Sequence, residues 1–262
     1  MRFALLNSGL GLLAAASELH RLRPDADLVV SMDPDGMPWG PRTPEDIAER
    51  SLAIARAAVE YAPDVLVMAC NTGSVHALEA LRAEFEPRIP VVGTVPAIKP
   101  AAAAASSVAI WATVATTASD YQRRLIAEFG GSATVTAVPC PGLASAIDSG
   151  DEDSITRAVA DAATRTPAGC GAVVLGCTEY ELAADRIGPA VPGAALFGSA
   201  PAVAAQAVRR ALETGCAEMP AGGRVPGTLR VLLSGRPAEL PLTALHYPQG
   251  RTLARLAAGL IR

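Results

Sequence analysis

The sequence predicts an α/β protein with parallel sheets, and three observations carry that reading. Short apolar runs recur along all 262 residues and alternate with longer amphipathic segments. The runs are apolar at successive positions rather than at alternate ones, as strands buried on both faces under helices require. Half of the residues are hydrophobic and many of these are alanine, which favours helices and close helix–sheet packing around a sizeable core.

Residues 2–6 open the chain as a strand, with Phe3 to Leu6 apolar. Strands are predicted next at 28–32, 65–69 and 90–93, then at 108–112, 134–138, 171–176, 194–197 and 229–233. A helix is predicted over 45–61, where Ile47, Ile54, Ala58 and Tyr61 recur at helical spacing. Thr43-Pro44-Glu45-Asp46 ahead of them is a strong helix start. Segments 74–85, 118–129, 151–164, 200–213 and 250–261 read the same way, and the alanine run at 101–105 reads as helix. The chain divides near residue 97, at Val95-Pro96-Ala97, and again near 205. The expected organisation is a first α/β domain from 1–97 with 206–262, and a second over 98–205.

Composition excludes several classes. The net charge is −4, no basic run of five or more occurs and aromatics are only 4%, so a nucleic-acid partner is not expected. No stretch of 18 apolar residues occurs, so no membrane span is expected. Met1-Arg2 leads straight into the first strand without the apolar segment of a signal peptide. Five cysteines, an odd number without framework spacing, read as a reduced, cytoplasmic protein. Cys170 and Cys177 lack the short spacing of a metal-ligand pair and have no His-rich neighbour, so no metal is expected. His20, His76 and His246 read as surface or packing residues. Gly9-Leu10-Gly11 is too short for a dinucleotide fingerprint.

In parallel sheets ligands sit beyond the carboxyl ends of strands. Two cysteines stand there in matching settings, Val65-Leu-Val-Met-Ala-Cys70-Asn71-Thr72 and Ala172-Val-Val-Leu-Gly-Cys177-Thr178-Glu179. Two opposed thiols can take a proton from one face of a carbon and return one to the other. Such chemistry needs donors for the charge that develops, and the hydroxyls of Ser8, Thr72 and Thr178 join the backbone N–H groups of both loops as candidates. One thiol must be ionised while the other holds its proton, and Glu179 is placed to tune Cys177. A single cysteine at a strand end is more often a small buried hydrophobe. Two in the same context bring the balance near even, whereas Cys140, Cys170 and Cys216 lack it and read as structural.

The ordered motifs resemble those of the glutamate racemases, of the cofactor-independent aspartate/glutamate racemase superfamily. Asn7-Ser8-Gly9-Leu10-Gly11 resembles the family's opening Asp-Ser-Gly-x-Gly. Pro38-Trp39-Gly40-Pro41-Arg42-Thr43-Pro44-Glu45 resembles its Pro-Tyr-Gly-x-Arg-(Ser/Thr)-x-Glu. Ala69-Cys70-Asn71-Thr72 matches the first cysteine motif, and Gly176-Cys177-Thr178 with Tyr180 matches the second at all but one position. Thr113 to Tyr121 and Cys140-Pro141 also resemble family stretches. The resemblance implies two α/β domains of related fold with the active site in the interdomain cleft. It implies racemisation of an amino acid without cofactor or metal. Cys70 and Cys177 become the acid/base thiols, with Asn7 and Glu179 at the auxiliary catalytic positions. Ser8, Trp39, Gly40, Asn71 and Thr72 become substrate-binding residues on the first half, and Thr113, Thr116 and Thr178 on the second. Family members are often dimers, which makes a homodimer the assembly suggested.

Three positions depart from the family pattern. Asn7 replaces an acid and can orient a group but cannot accept its proton. Glu179 replaces a His, as in aspartate racemases, and its negative charge raises the pKa of a neighbouring thiol where a cation lowers it. Trp39 replaces a Tyr. Glutamate is the first substrate expected, and aspartate or a specialised amino acid the alternative. A superfamily decarboxylase fits less well, because those resemble one-cysteine sites. A catalytically weak binding protein on the same fold is the reading from a different class, favoured by Asn7 and Glu179 and opposed by retention of both thiols.

Overall fold

Phe3, Ala4, Leu5 and Leu6 are all fully buried, as the middle strand of a covered sheet demands. The computed structural model describes residues 1–216 and 226–257. The elements run β1 (Arg2–Asn7), α1 (Leu12–Leu22), β2 (Asp27–Met32), α2 (Pro44–Val59), β3 (Val65–Met68), α3 (Asn71–His76), α4 (Leu78–Phe85) and β4 (Val91–Val92). They continue with α5 (Ile98–Ala104), β5 (Ser107–Ala112), α6 (Val114–Ala118), α7 (Asp120–Phe129), β6 (Thr134–Pro139), α8 (Leu143–Ser149), α9 (Glu152–Arg165), β7 (Ala172–Leu175), α10 (Ala184–Ala190) and β8 (Ala195–Phe197). The last are α11 (Ala200–Glu213), β9 (Leu229–Leu233), β10 (Arg236–Ala238) and α12 (Pro248–Ala257). One unit comprises Met1–Thr94 with Ala200–Arg262, and the other Val95–Ser199.

The first unit holds a six-stranded sheet in the order β10-β9-β2-β1-β3-β4. All neighbours are parallel except β10 and β9. The second holds a four-stranded parallel sheet, β6-β5-β7-β8. Each sheet starts at an inner strand, steps to one side and then crosses to the other. The direction of winding therefore reverses between β1 and β3 in one unit and between β5 and β7 in the other. Outside the carboxyl ends of strands at such a reversal, two adjacent loops part and leave a crevice.

The α/β class with parallel sheets is observed, and the differences in detail have physical causes. The sequence reading passed over α1, because Leu12-Leu13-Ala14-Ala15-Ala16 are buried in succession and Gly11 offers no capping side chain. An apolar run of that kind carries no amphipathic period. The segment 74–85 is two helices, α3 beginning at Asn71 and α4 at Leu78. The segment 118–129 is interrupted at Ser119, whose hydroxyl caps α7. Strand β10 was also missed: all three of its residues are exposed, so no apolar pattern marks it. It pairs antiparallel to β9 through a turn at Ser234-Gly235, both with positive φ, the backbone a two-residue hairpin needs. The 250–261 segment begins its helix at Pro248, and residues 258–261 lie outside the described residues.

Gly176 sets how closely β7 approaches β5 at the strand end that leads to Cys177. Its N–H donates to the Trp111 carbonyl at 2.7 Å, and a Cβ there would stand 2.8 Å from that oxygen and 3.1 Å from the Ala112 Cβ. We expect Gly176→Ala to push the two strand ends apart and to cost roughly 1–3 kcal/mol, as overpacking against a fixed backbone does. Chemical denaturation of the variant beside the wild-type chain measures it, and an unchanged midpoint would contradict the tight packing.

Candidate active site

At the end of β1, Asn7 is completely buried and its Nδ2 donates to the Ala69 carbonyl at 2.7 Å. That bond ties the end of β1 to the residue before Cys70. The Asn7 Oδ1 accepts from the Ser8 hydroxyl at 3.3 Å and from the Gly9 N–H at 3.4 Å. Asn7 therefore orders the loop, and with its N–H groups directed at a carbonyl it does not act as a base.

Cys70 leaves β3 in extended conformation and caps α3, where its Sγ accepts from the Gly73 N–H at 3.4 Å. A donor aimed at sulfur favours the thiolate over the thiol. The next residue, Asn71, is 5% exposed, and neither its side-chain nitrogen nor its oxygen has a hydrogen-bond partner in the protein. A buried polar group left so costs about 1–3 kcal/mol, which a polar ligand beside Cys70 would relieve. Thr72 is half-buried on the first turn of α3. The ends of β3 and β4 are held by Thr94, whose hydroxyl donates to the Met68 carbonyl at 2.8 Å and whose N–H donates to the Ser74 hydroxyl at 2.7 Å.

Trp39 lies in the apolar core with Met68 and Cys70 and is only 1% exposed. Its ring is a wall of this corner, while Gly40 beside it borders open space, since a Cβ there would meet nothing within 4 Å. The sequence reading missed Asp33, which follows β2 and is 3% exposed. Its Oδ2 accepts from the Trp39 Nε1 at 2.9 Å. An acid directly after an apolar strand and just ahead of the Pro38–Gly40 loop was the available signal.

In the second unit Cys177 follows β7 and starts a 3-10 turn over Thr178–Ala183. Its Sγ donates to the Glu179 Oε2 at 2.8 Å, and the Thr178 hydroxyl donates to the same oxygen at 3.3 Å. Thr178 and Glu179 are both buried. A thiol bonded to a carboxylate keeps its proton, and the carboxylate stands ready to receive it. At the end of β5, Thr113 caps α6 by accepting from the Thr116 N–H at 3.2 Å, and their hydroxyls lie 2.9 Å apart. Thus the first unit gathers Asn7, Ser8, Cys70, Asn71 and Thr72 at the ends of β1 and β3. The second gathers Thr113, Thr116, Cys177, Thr178 and Glu179 at the ends of β5 and β7.

Behind Cys177, burial and the neighbouring Cys177, Cys140 and Glu179 hold the Tyr180 phenol well above its ordinary range, so it stays a neutral donor to the Cys140 carbonyl at 3.4 Å. Burial pushes the Cys140 thiol up to about 12. Cys170 is buried and its Sγ donates to the Ala172 carbonyl at 3.0 Å. Among the described residues no cluster of three His, Cys, Asp or Glu side chains could hold a metal ion, and no helix is long and apolar enough to cross a membrane.

Residues 7–207 match the family model described as Asp/Glu/Hydantoin racemase. A glutamate racemase of Herpetosiphon aurantiacus is 36% identical over 244 residues, covering 90% of this chain and 93% of that one. A glutamate racemase of Pseudomonas putida is 35% identical over 213 residues, covering 79% and 80% of the two chains. Among solved structures, Escherichia coli glutamate racemase in complex with L-glutamate and the activator UDP-MurNAc-Ala superposes with a TM-score of 0.78 at 28% identity, over 94% of this chain and 91% of that one.

The environments of the cysteines predict an order of alkylation. At pH 8 the Cys140 thiol lies far below its pKa of about 12 and is screened from reagent, so almost none of it is ionised. Peptide mapping after limited iodoacetamide treatment should find Cys177, which is half-exposed, labelled well before Cys140. Equal rates at the two positions would mean that the environment described for Cys140 is wrong.

Proposed function

We propose that this chain, which belongs to the Asp/Glu/Hydantoin racemase family, interconverts the enantiomers of glutamate through Cys70 and Cys177. Family membership makes it an isomerase, an amino-acid racemase that works without pyridoxal phosphate. The substrate and the groups that move the proton are the proposal. The observation that carries it is the opposite hydrogen-bonding of the two thiols: Cys70 accepts from an N–H, and Cys177 donates to a carboxylate.

In this reading the two sulfurs approach one α-carbon from opposite faces. The thiolate of Cys70 takes the α-hydrogen as a proton, and the electron pair moves into the substrate carboxylate. Cys177 gives its proton to the other face of the carbon, and Glu179 accepts from or returns a proton to that sulfur between turnovers. In the reverse direction the two cysteines exchange roles. The α-carbon is a very weak acid, so the transient double negative charge on the carboxylate needs fixed donors. The N–H groups at the starts of α3 and of the Thr178–Ala183 turn, with the Asn71 amide and the hydroxyls of Ser8, Thr72 and Thr178, are the candidates. Both sulfurs must lie within about 3–3.5 Å of the reacting atoms for the transfer to compete.

The thiol–carboxylate pair of Cys177 and Glu179 favours a second reading, in which the preferred substrate is an amino acid with a neutral side chain. A fixed negative charge beside Cys177 repels a second substrate carboxylate directed at it, and at close range in a partly dry site that costs several kcal/mol in order of magnitude.

Cys70→Ala and Cys177→Ala should each abolish racemisation of D- and L-glutamate, followed by polarimetry, because each direction needs one thiol as base and the other as acid. Exchange of the α-hydrogen in deuterated water should accompany turnover in the wild-type chain. Racemisation surviving in either variant would rule out the assigned roles. The substrate is tested separately by kcat/KM over a panel of acidic and neutral amino acids, for the wild-type chain and for Asn7→Asp with Glu179→His. If glutamate is the preferred substrate, it leads the wild-type panel. If the second reading holds, glutamate gains only in the double variant.

A further inference from the structure

We propose that Asp33 is a positioning residue for Cys70, acting through the indole of Trp39. The inference rests on the reading of Cys70 as an acid/base group and adds what holds that sulfur's donor in place. Asp33 is buried, and its carboxylate gathers three separate pieces of the first unit. Its Oδ2 accepts from the Trp39 Nε1 at 2.9 Å and from the Arg50 Nη1 on α2 at 3.3 Å. Its Oδ1 accepts from the Ser234 hydroxyl, in the turn between β9 and β10, at 3.3 Å. Its own N–H is shared between the carbonyls of Asn7 and Ser8, at 3.1 and 3.2 Å.

The Trp39 ring carries this anchorage to the thiol. It shares a core cluster with Met68 and Cys70 and lies against Gly73, where an added Cβ would come within 3.0 Å of the indole Cζ3 and would also meet the Met68 Sδ. Gly73 is the residue whose N–H points at the Cys70 sulfur. The backbone that supplies the donor is thus pressed on the indole, and the rotation of the indole is fixed by the Asp33 carboxylate. Burial alone would hold the indole in the core without choosing between ring orientations. The bond from Nε1 to a buried carboxylate specifies one ring orientation, which burial does not. The ion pair with Arg50 is the weaker anchor, since that side chain is 30% exposed and the contact is longer.

The test reads the sulfur directly. Iodoacetamide labelling of Cys70 is followed against pH by peptide mass spectrometry, with Cys177 of the same molecules as internal reference. Trp39→Phe removes the N–H together with the outer part of the ring, and no charge. Asp33, Asp35, Arg42, Glu45, Asp46, Glu49, Arg50, Arg56 and His76, the charged and titratable side chains of the loop, α2 and α3, are unaltered by it. A change in access scales the rate at every pH, whereas a displaced donor moves the midpoint. We expect the Cys70 midpoint to rise by about one pH unit in Trp39→Phe while that of Cys177 stays. Asp33→Ala breaks the same bond from its other end and leaves the ring whole. Asp33→Asn loses the same charge but keeps an acceptor oxygen, so the Cys70 midpoint should be higher in Asp33→Ala than in Asp33→Asn. Racemisation should lose kcat about tenfold in Trp39→Phe, as loss of roughly 1.4 kcal/mol of alignment would produce. Equal Cys70 midpoints in folded Asp33→Ala and Asp33→Asn chains, or a wild-type midpoint in a folded Trp39→Phe chain, overturn the proposal and leave Asp33 a purely structural carboxylate. A chain that racemises no amino acid yet shows the shift overturns the catalytic reading and leaves the positioning intact.

Discussion

The Asn7 amide, fully buried between β1 and β3, donates its hydrogen bond to the carbonyl of Ala69 and thereby fixes where the chain turns away from the sheet at Cys70. Parallel pairing brings Leu6 opposite Met68 and so sets the register of the two strand ends. Without a partner the Ala69 carbonyl would be a buried orphan, and the bond to Asn7 makes the strand end and the opening loop one piece. The capping of α3 by Cys70, the seat of Trp39 and the exposure of the Gly40 backbone are all built on that corner. An acid at position 7 could take up a proton in the same place; an amide gives this up and keeps the alignment.

The second unit repeats the topology with different chemistry. Its winding also reverses between two inner strands, and its cysteine also follows the inner strand on the far side of the reversal. Here the sulfur meets a carboxylate instead of an N–H donor. The fold provides two similar places, and the side chains make them unlike. Two thiols in identical surroundings would have no preferred arrangement of a single shared proton, whereas these two rest against unlike partners.

The class of the fold was legible because Phe3 to Leu6, Val65 to Met68 and Ala172 to Leu175 are apolar at every position, as strands covered on both faces require. The family was legible from the order of its motifs. Helix α1 was hidden by the unbroken burial of its first five residues, and β10 by its complete exposure, because a periodic pattern arises only when one face differs from the other. The two cysteines stood out by their matched settings. Asp33 did not, for a lone acid in a loop looks like a solvated charge. Its meaning comes from Trp39, Arg50 and Ser234, which converge on it from distant parts of the chain. Trp39 itself read as a loop residue facing substrate, and the structure turns its ring into the core against Met68. The loop that carries Trp39 turns that ring inward in a way no periodicity announces.

The chain leaves the first unit at Thr94 and comes back to it at Ala200. Strands β9 and β10 and helices α11 and α12 therefore emerge from the ribosome only after the whole of Val95–Ser199 has been made. The second unit is continuous and can close as soon as β8 is available. The first must wait with α1 bare, since that helix packs on α11 and α12. During synthesis the early half of the molecule thus carries an uncovered run of leucine and alanine, the kind of surface that holdase chaperones bind. The order of translation makes the insertion, rather than the amino-terminal segment, the first part of this protein able to reach its native state.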